Sequence, residues 1–164
     1  MKKVFIALSV IAASSCNHSM PSVKTGFEGK PMPEFRLLMN DSVTYLNTAS
    51  IPTGKPVVLL YFSPNCPYCR AEINGILKNI ESLKDIRFYF FATWPVKEIK
   101  AFSTYYHLDK YPNIEIGQDC KGFFLNHFKV TRVPYTAIFK KDKRLNEVFM
   151  GKVEPEQIKE VAEN

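Results

Sequence analysis

Past its first fifteen residues, this 164-residue chain holds no apolar run near the ~18 residues that a membrane-crossing helix needs. Histidine is scarce. His18, His107 and His127 are spread along the chain, and no second paired Cys or His motif accompanies them. A structural zinc needs four such ligands, so no metal is expected unless the fold gathers distant residues. Stretches of interleaved basic and aromatic residues are missing as well. Lys140, Lys141 and Lys143 read as a solvated turn, and no nucleic-acid partner is expected despite the net charge of +6. That charge instead favours an anionic surface or acidic partners. Of the four cysteines, setting aside Cys16 directly after the leader leaves three, an odd count that does not suit a disulfide-stapled scaffold.

Large side chains are plentiful. Thirteen Phe and eight Tyr, within an apolar share of 46%, are ample for one core, and the length suits one domain. Residues 1–15 stand apart as a secretory signal peptide. Lys2 and Lys3 form a basic start, Val4 to Ala13 a short apolar stretch, and Ala13, Ser14 and Ser15 are small. Cys16 follows at once and resembles the lipidated cysteine of a bacterial lipoprotein, although Ala13 replaces the usual Leu of that motif. The alternative is an ordinary cleaved signal with an incidental cysteine. Residues 16–30, with Ser, Pro, Gly and Lys and few hydrophobes, read as a flexible tether, and residues 31–164 as the folded domain.

Within that domain the periodicity alternates between strand and helix. A hairpin is expected over Phe35–Met39 and Val43–Leu46, turning at Asn40 and Asp41. The run from Pro56 to Phe62 suits a strand buried on both faces. A helix follows, with Pro67 in its first turn and Ile73, Ile76, Leu77, Ile80 and Leu83 at helical spacing. Ile86–Ala92 reads as a strand, Val96–His107 as a helix, Asn113–Ile116 as a brief strand and Asp119–Phe128 as a short helix. Tyr135–Phe139 and Leu145–Met150 form a second hairpin, and Pro155–Glu163 a closing amphipathic helix. This order predicts an α/β domain whose central strands run parallel and whose last hairpin is antiparallel.

The chemistry concentrates at Cys66-Pro67-Tyr68-Cys69, between a buried strand and a helix. A helix N-terminus stabilises a thiolate through its partial positive charge and its free N–H groups. Two intervening residues set the second thiol one turn along, where it can attack a mixed disulfide formed by the first. Cys66 is thereby the expected nucleophile and Cys69 the resolving thiol. A permanent structural disulfide here would close too small a loop to constrain the unfolded chain much. Cys120 is expected to be a buried small apolar residue; a third redox thiol or an intermolecular disulfide is the alternative. Trp94, Tyr61, Tyr105 and Tyr106 are expected in the core or in cleft walls.

The segment Leu-Leu-Tyr-Phe-Ser-Pro-Asn-Cys-Pro-Tyr-Cys-Arg-Ala-Glu, from Leu59 to Glu72, resembles the active-site segment of thioredoxin-like proteins, and Val133-Pro134 before a strand resembles their cis-proline loop. The extra hairpin and the leader resemble the extracytoplasmic TlpA/ResA-like branch, whose members exchange disulfides with exported proteins. The resemblance implies a thioredoxin-like fold, a mixed central sheet flanked by helices with an added N-terminal hairpin. It implies a cis Pro134 that presents Val133 to substrate, and a proton-relay role for Glu72, for which a solvated helix glutamate is the alternative. It also implies no cofactor beyond the redox-active Cys66–Cys69 pair. The partners it implies are exported cysteine-containing proteins, a membrane-bound electron donor and a membrane holding the lipid anchor, with the chain acting as a monomer. The location is then extracytoplasmic, and Asn17 after Cys16 favours the outer over the inner membrane. Two features depart from thioredoxin itself. Leu60 stands where thioredoxin has a buried Asp, and Pro-Tyr rather than Gly-Pro separates the cysteines, favouring a reductant or exchanger over a strong oxidant. A thioredoxin-fold Cu(I) carrier is the competing class, since thiolates suit that ion. The cysteine pattern of peroxiredoxins is absent around Cys66.

Overall fold

The structure is a computed structural model and describes residues 19–164. The signal-peptide expectation and Cys16 lie outside the described residues. Among the described residues, no helix is long and apolar enough to cross a membrane.

Seven strands form one mixed sheet: β1 (Arg36–Met39), β2 (Tyr45–Asn47), β3 (Val57–Tyr61), β4 (Arg87–Ala92), β5 (Ile114–Gln118), β6 (Tyr135–Phe139) and β7 (Leu145–Met150). Their order across the sheet is β2-β1-β5-β4-β3-β6-β7. Strands β3, β4 and β5 run parallel, while β6 is antiparallel to β3 and β7 to β6. The hairpin β1–β2 joins antiparallel to β5. Among the described residues, four α-helices complete the fold: α1 (Pro67–Lys78), α2 (Val96–Tyr106), α3 (Phe123–His127) and α4 (Pro155–Glu163).

The all-apolar β3 has a simple physical reason. Its side chains alternate across the sheet, and both faces are covered. Val58, Leu60 and then Phe62 pack with Ile73 and Ile76 of α1, Ile99 and Phe102 of α2, and Ile158 of α4. Val57, Leu59 and Tyr61 face the other way, into an aromatic cluster with Phe35, Phe91, Phe124 and Tyr135. Phe124 is its hub, with ring centroids 4.9 Å from Phe91, 4.6 Å from Phe128 and 5.7 Å from Tyr135. Gly117 lets β1 approach β5 closely, because a Cβ there would lie 2.8 Å from the Leu38 carbonyl oxygen.

Three expectations are corrected. Residues 19–30, expected as a flexible tether, are docked along the edge of β7. Val23 N–H donates to Val148 O at 2.7 Å, Gly29 N–H to Leu145 O at 2.8 Å, and Leu145 N–H to Lys30 O at 2.9 Å. A sheet edge offers unpaired backbone groups, and the backbone of Val23, Gly29 and Lys30 satisfies them without needing hydrophobic periodicity, while Val23 and Phe27 pack against the aromatic cluster. The helical spacing running to Leu83 is broken, since α1 ends at Lys78 and Ile80–Leu83 form a 3-10 turn. The helix expected from Asp119 forms only from Phe123, after Gly122 at φ +60°.

Candidate functional site at the start of helix α1

Cys66 caps α1. Its backbone is extended, and its Sγ accepts the Cys69 N–H at 3.4 Å. Pro67 occupies the first helical turn, where its missing N–H costs nothing. The turn before the helix is fixed by Cys66 N–H donating to Ser63 O at 3.1 Å and by Arg70 Nε donating to Pro64 O at 2.8 Å. Both cysteines are free thiols in this structure, and their environments differ. Cys66 is half-buried, whereas Cys69 is fully buried. Burial pushes the Cys69 thiol far above its usual range, and the neighbouring Cys66 and Glu72 charges act in the same direction.

The loop before β6 closes over this pair. The Val133–Pro134 peptide bond is cis, and the Cys66 thiol donates to Val133 O at 3.8 Å, the long reach normal for sulfur. Residues far apart in sequence are thus brought to one end of the sheet, beyond the carboxyl ends of the parallel strands. Tyr68, between the cysteines, is 66% exposed, and Tyr105 of α2 is 71% exposed. Tyr105 is therefore no core residue; it lines a hollow of about 260 Å³ with Pro64, Asn65, Arg70 and Phe102. Tyr61 is buried, while Trp94 and Tyr106 pack at the margin of the core.

Glu72 is not a solvated helix residue. It is completely buried, on the same face of α1 as Cys69. Its Oε1 accepts the Thr136 hydroxyl at 2.7 Å, and its Oε2 accepts the Val153 N–H at 3.0 Å. Burial raises the carboxyl to about 7, against the lowering effect of those two hydrogen bonds and of Lys152. Leu60, where thioredoxin carries its Asp, pairs in register with Thr136. A buried carboxyl thus reaches this region from the helix instead of from the strand. Thr136 itself was missed in the sequence. Its signal was a single aliphatic hydroxyl, that of a threonine, within the aromatic and apolar Tyr135–Phe139 strand.

Cys120 is corrected too. It follows β5 and is exposed, at the rim of a cavity of about 710 Å³ lined also by Arg36, Tyr45 and Phe123. The turn through Lys121 and Gly122 carries the chain outward before α3 begins, so no core position is offered to it.

Comparison with known proteins agrees with this geometry. The thioredoxin-like domain family matches residues 48–164. A secreted Mycobacterium tuberculosis disulfide oxidoreductase homologous to Escherichia coli DsbE is 23% identical, with 75% of this chain and 88% of that one covered and a TM-score of 0.61. StoA from Bacillus subtilis is 14% identical, with 79% and 96% covered and a TM-score of 0.61. The peroxidoxin BcpB of Mycobacterium tuberculosis is 15% identical, with 82% and 94% covered and a TM-score of 0.67. No curated protein matches the sequence significantly. At these identities the solved structures establish a shared fold, while the family match covers most of the sequence. The chain belongs to the thioredoxin-like family.

Proposed function

We propose that this protein is a lipid-anchored thiol–disulfide oxidoreductase that exchanges its Cys66–Cys69 pair with exported cysteine-containing proteins. The observation that carries this reading is the asymmetry of the pair. One sulfur is half-exposed at a helix N-terminus under a backbone carbonyl, and the other is fully buried one turn along. In the reducing direction, the Cys66 thiolate attacks a substrate disulfide, forming a mixed disulfide and releasing one substrate thiol. The Cys69 proton passes to Glu72, and the new thiolate attacks Cys66 Sγ. The Cys66–Cys69 disulfide forms and the second substrate thiol leaves. An extended substrate segment docks against Val133 and Pro134, where backbone groups are available for strand-like pairing. Cys69, held as a thiol by burial, needs a nearby acceptor for its proton, and Glu72 is buried on the same helix face.

No cofactor is required, because both electrons reside in the dithiol. They are resupplied by a membrane-bound donor outside the cytoplasm, where the leader places the domain, with Cys16 as the anchor and the outer membrane as its site. The low potential expected of a reductant fits Cys66, which has no neighbouring histidine to hold it as a thiolate.

Measuring the equilibrium reduction potential of the Cys66–Cys69 pair in a Cys120→Ser background tests the reading. A value near the thioredoxin-like end of the ~−270 to −120 mV range supports a reductant, and one near the upper end an oxidant or isomerase. A pair that does not cycle, or that retains Cu(I) through purification, sinks the enzyme reading.

A further inference from the structure

Among the described residues, only Thr48, Glu72, Ser103, Asp119 and Thr136 are polar side chains buried in the core. Thr136 is singular because its neighbours in β6 are apolar and its partners across the sheet are Leu60 and Phe149. Valine would fill the same volume and suit a strand equally well. A buried hydroxyl must find a partner, and this one finds Glu72 Oε1 at 2.7 Å. The second carboxylate oxygen is taken by the Val153 N–H at 3.0 Å, from the loop that leads into α4. Gly75, one turn further along α1, lets that loop close in: a Cβ there would lie 3.2 Å from Pro155 Cγ. The carboxylate is therefore held between two donors from different parts of the chain.

We propose that Thr136 is a positioning residue for proton transfer, its hydroxyl donating to Glu72 so that the carboxylate form is favoured and oriented to take the Cys69 proton. This rests on the proposed relay role of Glu72. The hydroxyl can also turn. Donating to the carboxylate before transfer, it can rotate to accept from the carboxylic acid afterwards, so one side chain serves both protonation states. A backbone N–H cannot do this, which leaves Val153 a fixed donor.

The charged and titratable groups that act on Glu72 are known. Lys152 favours the carboxylate and Glu154 opposes it, both from the loop before α4, and the Cys69 thiol is coupled to it on α1. Lys152 and Glu154 pair at 2.6 Å, which mutes their separate effects. Removing the Thr136 donor is thus expected to move the Glu72 titration more cleanly than changing either charge.

The test uses the full chain with Cys16→Ser and Cys120→Ser, reduced and then reacted with excess aromatic disulfide carrying a coloured thiol. Cys66 attack releases one coloured thiol in a bimolecular step. Cys69 attack on the resulting mixed disulfide releases a second in a first-order step, whose pH profile reports the relay. The Glu72 carboxyl is followed separately by its carbon NMR shift in the reduced protein, a readout that packing loss alone leaves in place. Thr136→Val is expected to raise both the NMR midpoint and the inflection of the second step by about one pH unit, the loss of one hydrogen bond to a charged group. Thr136→Ser is expected to restore both. If Glu72→Gln abolishes the inflection but Thr136→Val moves neither readout, Thr136 has no positioning role and the relay stands. If Glu72→Gln leaves the second step's profile unchanged, the relay itself is wrong and the positioning role falls with it.

Discussion

Glu72→Gln should make the reduced protein more stable, increasingly so as pH rises. The carboxyl titrates near 7 in the folded chain against an ordinary value of 4.5, because burial disfavours its charge. Between those values the folded state keeps a proton that the unfolded state has released. Stability therefore falls as pH rises from about 4.5 through 7, and the full cost is present above the folded value. The gap between 4.5 and about 7 corresponds to about 3 kcal/mol at pH 8. A glutamine carries no charge to desolvate. Its amide oxygen can accept the Val153 N–H, and its amide N–H can donate to a rotated Thr136 hydroxyl, so both existing hydrogen-bond sites stay filled. Urea unfolding followed by the fluorescence of Trp94, the sole tryptophan, gives the comparison in strong reductant from pH 5 to 8. The advantage of Glu72→Gln over the parent should grow by about 2–3 kcal/mol across that interval. His127, whose imidazolium is disfavoured by burial, is common to both proteins, so its contribution cancels in the difference. A difference that stays flat, or that shrinks with rising pH, would show that burial does not hold Glu72 protonated.

Iodoacetamide should modify Cys66 at least about tenfold faster than Cys69 in the reduced protein, read by peptide mass mapping, because only the first sulfur is reachable and only the second is forced to remain a thiol. Equal rates would remove the asymmetry on which the proposed chemistry rests. Phe124→Ala should cost about 3–5 kcal/mol in chemical denaturation, since it empties the hub of the aromatic cluster. A loss below about 1 kcal/mol would mean that α3 adds little to the core. Gly117→Ala should destabilise by about 1–3 kcal/mol, because the Leu38 carbonyl lies 2.8 Å from the new Cβ and belongs to backbone that cannot swing aside. Hydrogen exchange should locate the loosening at β1 and β2, and a neutral substitution would argue against the close β1–β5 approach.

The sequence by itself determined most of the elements and singled out the candidate cysteine pair. Largely apolar runs of five to seven residues between turn signals became β3, β4 and β6 with ends displaced by at most one residue, because strands covered on both faces leave a local signature. Cys66 and Cys69 were legible because spacing, Pro67 and the preceding strand all lie within a few residues of one another. The cis-proline loop was legible through its resemblance to other thioredoxin-like chains. Only the tertiary structure decided what depends on distant partners. On its helix alone Glu72 could be read as a proton relay or as a solvated glutamate, and it is buried because β6 and the loop before α4 supply its two donors from 64 and 81 residues away. Residues 19–30 carry no periodicity, since their order comes from the unpaired edge of β7 and from a few apolar side chains, Met20, Val23 and Phe27, that pack against the core of the folded sheet. Cys120 has the small apolar character of a core residue, yet the turn after β5 carries it outward. Local physics is written in neighbouring residues, whereas burial of a polar group depends on which segments the folded sheet brings against it.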